Sequence, residues 1–182
     1  MTHLNGARVA ILAGDGYEDS ELSEPLAVLQ EHGAAVDVVS SQAGTITGAH
    51  GHEATADRTV AEAVAGDYDA LVLPGGVANG DRIRMDADAV GFAREFFAQG
   101  KPVGAICHGG WILADADVLR GRRVTSYPSL RTDLRNAGAE WVDEEVVVDQ
   151  GLVTSRTPED LPAFTAKLVE EIAEGIHPGQ HA

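Results

Sequence analysis

Residues Arg8 to Ser40 read RVAILAGDGYEDSELSEPLAVLQEHGAAVDVVS, and the order of patterns in this stretch decides the fold. Arg8 to Ala13 is a near-continuous apolar run, the signature of a strand buried on both faces of a parallel sheet. Gly14-Asp15-Gly16 turns the chain. From Glu18 to His32, Leu22, Leu26 and Leu29 recur at helical spacing, and Gly33 stands where a capping glycine belongs. Ala35 to Ser40 is a second strand. Strand, helix and strand form a βαβ unit, which implies a parallel sheet with right-handed crossovers.

The rest of the chain continues that theme. Gly44 to Asp57 predicts a small hairpin, Ala61 to Ala65 a short helix, and Tyr68 to Leu73 another buried strand closed by a Pro74-Gly75-Gly76 loop. Asp86 to Gln99 carries Val90, Phe92, Phe96 and Phe97 at amphipathic spacing. Further strands are expected at Val124 to Ser126, Trp141 to Val148 and Leu152 to Ser155. Helices are expected at Leu130 to Ala137 and Pro158 to Glu174, with residues 176–182 as a loose polar tail. A chain of 182 residues is long enough for one domain with a substantial core.

The 29 acidic and 13 basic residues give a net charge of −16. Such a surface repels nucleic acid and anionic membrane, so neither is an expected partner, and solubility explains the charge most simply. A single cysteine cannot form an internal disulfide, which fits a reducing compartment. Met1 to Gly6 lack the basic and apolar regions of a signal peptide, and no apolar run reaches membrane-span length, so a cytoplasmic protein is expected. Neither a cofactor nor a metal is expected.

That cysteine, Cys107, sits in Lys101-Pro102-Val103-Gly104-Ala105-Ile106-Cys107-His108-Gly109-Gly110-Trp111-Ile112-Leu113. The run reads as a short strand, an abrupt turn and the first turn of a helix, the elbow that hydrolases use to present a nucleophile. Amides at a helix start favour the thiolate, so an exposed, activated thiol is expected. Adjacent His108 offers a base, and Ala105 and Gly109 keep the turn uncluttered.

Three loops thus follow three candidate parallel strands: Gly14-Asp15-Gly16-Tyr17-Glu18, Leu73-Pro74-Gly75-Gly76 and Ala105-Ile106-Cys107-His108-Gly109. In an open α/β sheet they converge outside the carboxyl ends of the strands. Together with Gly44-Thr45-Ile46-Thr47-Gly48, Gly100-Lys101-Pro102-Val103, Thr125-Ser126-Tyr127-Pro128, Asn136-Ala137-Gly138 and Trp141 to Asp149, they resemble the PfpI branch of the DJ-1/PfpI superfamily over nearly the whole chain.

The resemblance implies a single-domain, flavodoxin-like three-layer α/β sandwich with a mostly parallel central sheet, related to class I glutamine amidotransferases and spanning residues 1–175. It also implies roles. Cys107 matches the nucleophile, Glu18 the acid that contacts its sulfur, and His108 the base. Buried beside a thiolate, such an acid keeps its proton and donates to sulfur. Asp81 matches an acid that a neighbouring subunit supplies to the histidine, which makes a homodimer the minimal unit and leaves a higher oligomer open. Read without the resemblance, Glu18 is a solvated first-turn acid, His108 is as readily a bystander, and Asp81 is as readily a helix cap. The backbone N–H groups of Gly76 and His108 are the candidate oxyanion hole. Gly110-Trp111 departs from the proline and smaller residue of many relatives, so Trp111 either reshapes the pocket or fills the core.

Two functions follow. In the first, a cysteine enzyme attacks a carbonyl or hemithioacetal carbon. Its substrate is a peptide in an extended groove, or a small carbonyl or glycated adduct in a compact pocket (deglycase- or glyoxalase-like). In the second, a stress-response protein oxidises Cys107 to sulfenic or sulfinic acid beside Glu18. The absence of a second cysteine rules against an intramolecular disulfide switch. A silent scaffold is disfavoured by the intact Glu18, Cys107 and His108 set.

Overall fold

A computed structural model describes residues 1–182. In chain order the elements are β1 (Arg8–Leu12), α1 (Asp19–Glu31), β2 (Ala35–Ser40), β3 (Gly44–Thr47), β4 (Glu53–Ala56), β5 (Arg58–Thr59), β6 (Ala70–Leu73), α2 (Val77–Ile83), α3 (Ala87–Ala98), β7 (Val103–Ile106), α4 (Trp111–Asp115), β8 (Arg123–Val124), α5 (Arg131–Asn136), β9 (Glu140–Trp141), β10 (Val146–Asp149), β11 (Leu152–Ser155) and α6 (Leu161–Glu174). Seven strands form one sheet in the order β10-β11-β7-β6-β1-β2-β5. All neighbours are parallel except the edge pair β10–β11. The hairpin β3–β4 and the short pair β8–β9 stand outside it. No helix is long and apolar enough to cross a membrane.

The apolar run of β1 splits by strand alternation between two cores. Ala10 and Leu12 join Leu71, Leu73, Phe92, Phe96 and Phe97 under α3 and α4. Val9 and Ile11 join Val72, Leu22, Leu29, Phe164 and Leu168 under α1 and α6. The chain is therefore a three-layer sandwich. Complete burial of Phe96, Phe97 and Phe164 contributes about 2–3 kcal/mol each. Gly104 in β7 lets this second layer close onto the sheet, because a Cβ there would stand 2.9 Å from Leu168 and Phe164 side-chain atoms.

Four local expectations are corrected. Ala61 to Ala65 is no helix; the helical turn comes later, as a 3₁₀ turn at Ala65–Asp67. Its Ala65 carbonyl is tied to the buried Lys101 ammonium at 2.9 Å. Val77 to Ile83, where the sequence pattern predicts no helix, is α2. Asp86, not Asp81, caps the next helix, accepting from the Asp88 and Ala89 amides at 2.9 and 3.3 Å. Residues 176–182 are not loose. The His177 amide donates to the Gly100 carbonyl at 2.8 Å, and Gln180 is buried, donating to the Lys101 carbonyl and accepting from Arg122. Arg122 is 2% exposed, and a buried guanidinium needs acceptors. The tail supplies Gln180 Oε1 at 2.6 Å and the His181 carbonyl at 2.7 Å.

Candidate active site

The loops after β1, β6 and β7 do converge, and a buried side chain locks two of them together. Asn79 accepts from the Gly14 amide at 2.8 Å and donates to the Pro74 and Gly75 carbonyls at 3.2 and 3.0 Å. In the third loop Ile106 is still extended, Cys107 takes φ +59°, and residues Cys107–Gly110 form a 3₁₀ turn that leads into α4. A non-glycine residue in the left-handed region is strained, and such strain persists only where the surroundings enforce it. Here the enforcement is close packing. A Cβ on Gly109 would run into the Leu73 carbonyl, and one on Gly75 would stand 2.7 Å from the Cys107 Cβ.

The sulfur is at the floor of the site rather than exposed, with Cys107 only 8% accessible. The amides of Gly76 and His108 lie near enough to it to lower its proton affinity. Gly76 reaches this position at φ +93°. Burial first, and then the charge of Glu21 where that carboxyl is ionised, push the Cys107 thiol up to about 12, and the two amides pull it the other way.

Glu18 is not the acid that lies against the sulfur. Its side chain is a quarter exposed at the rim, and Oε1 stands 3.4 Å from His50 Nε2. Glu21, one turn further along α1, is fully buried beside Cys107. Its Oε1 accepts from the Gly75 amide at 2.9 Å, while Oε2 has no hydrogen-bond partner. Burial raises its pKa to about 8, so this carboxyl is predominantly protonated at neutral pH. The sequence contained a signal for it: Glu21, Leu22, Pro25 and Leu29 share the buried face of α1, and an acid inside an apolar helical stripe is a candidate for a built-in buried carboxyl.

His108 is buried, which lowers its pKa and keeps the imidazole neutral. Nδ1 lies 3.3 Å from Cys107 Sγ, within reach of the thiol proton. Nε2 lies 3.3 Å from Ser129 Oγ. Tyr127 stacks on the ring at 4.7 Å, and Trp111 meets it edge-on at 5.8 Å. Trp111 is therefore a wall of the site, anchored by Nε1–H donation to Asp133 at 2.9 Å and by Arg84 over its ring. Asp81 is exposed on α2 and has no hydrogen bond or ion pair from its carboxylate within the chain, including to its own His108. Sequence reasoning missed Glu21 and the roles of Tyr127 and Ser129, which lie about twenty residues beyond the elbow.

Above the sulfur opens a cavity of about 500 Å³, walled by Glu18, Val77, Trp111, Tyr127, Ser129 and Pro158. The geometry offers a thiol, a neutral base within reach of its proton, and two converging amides. Elsewhere, Glu171, Glu174 and His177 bring ligand-type atoms within 4.8 Å of one another at the end of α6, where Glu171 Oε2 stands 3.3 Å from His177 Nε2.

Comparison with known proteins agrees with this architecture. Residues 7–171 match the model of the DJ-1/PfpI family. A deglycase of Pyrococcus abyssi is 49% identical over 90% of this chain and 98% of its own length. A putative cysteine protease of Bacillus subtilis is 44% identical over 86% of this chain and 93% of its own. Drosophila melanogaster DJ-1beta superposes with a TM-score of 0.85 at 29% identity, covering 92% of this chain and 90% of that one. The chain belongs to the DJ-1/PfpI family.

Proposed function

We propose that this protein is a cysteine-dependent hydrolase of the deglycase type, acting on small carbonyl adducts. The observation that carries the reading is the 3.3 Å approach of Cys107 Sγ and His108 Nδ1 beneath a cavity of about 500 Å³, with the Gly76 and His108 amides beside the sulfur. The thiol proton passes to Nδ1, and the sulfur bonds to the adduct carbon that carries the amine or thiol, whose bond to nitrogen or sulfur breaks with its electron pair and takes the proton back from the imidazolium. A proton shift between the two oxygen-bearing carbons turns the enzyme-bound hemithioacetal into a thioester, the Gly76 and His108 amides taking the negative charge that develops on oxygen. Water then adds to the thioester, the carbon–sulfur bond breaks, and Cys107 is released with a hydroxy acid. The deglycases among the relatives support the smaller substrate over a peptide.

A functional homodimer belongs to the same proposal. Asp81 is supported as a group for a neighbouring copy by its exposure on α2, between Val77 at 60% and Met85 at 80% accessibility. Exposed apolar side chains beside an unpaired acid suit an interface. A free thiol suits a reducing, cytoplasmic setting. A second reading, protective oxidation of Cys107, is favoured by Glu21, whose carboxyl retains its proton beside the sulfur and so has a hydrogen to donate to an oxidised product.

The test is to incubate wild type, Cys107→Ser and Asp81→Asn with methylglyoxal adducts of amines and thiols, and with a fluorogenic peptide. Adduct hydrolysis lost in Cys107→Ser is the expected result. Peptide cleavage alone overturns the deglycase assignment in favour of a peptidase. No turnover, with a two-oxygen mass gain at Cys107 after mild peroxide, overturns it in favour of the redox reading.

A further inference from the structure

We propose that Glu18 is a charge-selecting residue at the mouth of the Cys107 cavity, favouring adducts whose amine or thiol part is cationic over those that carry carboxylates. The inference deepens the reading of this cavity as the substrate site and rests on it. Of the side chains that line the cavity, Glu18 is the only acid, and none is lysine or arginine. His108, neutral through burial, adds no charge. Arg84, which packs over the Trp111 ring, is already paired with Asp115 at 2.6 Å. The cavity therefore holds one negative group and no cation to meet an anionic substrate.

The fold fixes that negative group in place. The Glu18 amide donates to the Gly75 carbonyl at 3.2 Å, which joins the start of α1 to the loop that carries Gly76. Beside it, Asp19 accepts from the His50 and His52 amides at 3.1 and 3.0 Å, pinning the β3–β4 loop against the rim. A Cβ on Gly48 would collide with the Asp19 carboxylate, so this loop fits closely. From it His50 Nε2 stands 3.4 Å from Glu18 Oε1, and Oε2 is left to a ligand. A substrate bonded at the sulfur extends its remaining part toward the mouth, where the Glu18 side chain is a quarter exposed. A carboxylate in that position takes an ammonium or guanidinium by charge-assisted hydrogen bonds and repels another carboxylate.

Because Cys107 is the only cysteine, its modification by methanethiosulfonate reagents reads the charge at the mouth without any hydrolysis. The probes are the 2-aminoethyl (cationic), methyl (neutral) and 2-sulfonatoethyl (anionic) reagents at low ionic strength. Wild type is expected to favour the cationic over the anionic probe, each taken relative to the neutral one. Glu18→Gln is expected to shrink that ratio about tenfold, because one charge acts on the two probes with opposite sign. Glu18→Asp, and Glu24→Gln at an exposed acid further along α1, should keep it within about twofold. An unchanged ratio in Glu18→Gln overturns the proposal. An equal drop in Glu24→Gln overturns it in favour of net surface charge. Hydrolysis of the methylglyoxal adducts of cysteamine and 3-mercaptopropionate separates the two readings. Turnover of both, at a relative rate that Glu18→Gln leaves unchanged, overturns the proposal while the hydrolase reading stands. Charge-selective modification with no turnover of either adduct removes the hydrolase reading and leaves Glu18 as the charge filter of the cavity.

Discussion

Replacing Glu21 with glutamine should flatten the pH dependence of folding stability on the acid side of neutrality. In the folded chain burial raises this carboxyl from 4.5 to about 8. The folded state therefore binds a proton that the unfolded state has released, and stability is fully present below pH 4.5 and lost as pH rises toward 8. The slope approaches 1.4 kcal/mol per pH unit, and the full loss is about 5 kcal/mol. Between pH 5.5 and 7.5 the wild type should lose about 2–3 kcal/mol through this group. In urea that corresponds to a midpoint lowered by about 1 M. The assay is a pair of urea titrations at these two pH values and one fixed protein concentration. Glutamine keeps the acceptor for the Gly75 amide but cannot ionise, so its midpoints should differ by about 1 M less than those of the wild type. Other groups with raised pKa, Glu171 among them, act on both proteins and cancel. Because burial is the largest cause of the Glu21 shift, Cys107→Ala should keep most of the slope. Parallel pH dependences in wild type and Glu21→Gln would refute the assignment of a protonated buried carboxyl.

Three further outcomes follow from the packing. Gly109→Ala should destabilise the fold by about 2–3 kcal/mol in chemical denaturation, because the added methyl meets the Leu73 backbone; a change below 0.5 kcal/mol would show that the elbow can yield. Cys107→Gly should be about 1 kcal/mol more stable than Cys107→Ala, since glycine tolerates the φ of +59°; calorimetry of the two thiol-free proteins compares them without chemistry at sulfur. Gln180→Ala leaves Arg122 Nη1 without its acceptor and should cost about 1–3 kcal/mol, read as a lowered melting temperature and faster proteolysis of the C-terminal segment.

What was legible in the chain was what depends on local pattern. The runs of β1 and β7 are apolar because both faces of a central strand are covered, and each was readable from a few consecutive residues. Cys107 was readable because an elbow is itself local. The error over Glu18 and Glu21 is of another kind. Both acids lie within one turn of the same helix, and only the orientation of α1 on the sheet decides which enters the site. That orientation is fixed by Leu22 and Leu29 packing under the sheet, so the apolar stripe held the answer and the charged residue within it was the clue. The surroundings of the Cys107 sulfur divide in the same way. Helix-start amides are a local feature that favours a thiolate, whereas burial and the Glu21 carboxyl come from elements brought together only by the fold. The site thus combines a locally encoded nucleophile with titratable neighbours that are placed nonlocally, and the protonation of Glu21 beside the sulfur is what couples the two.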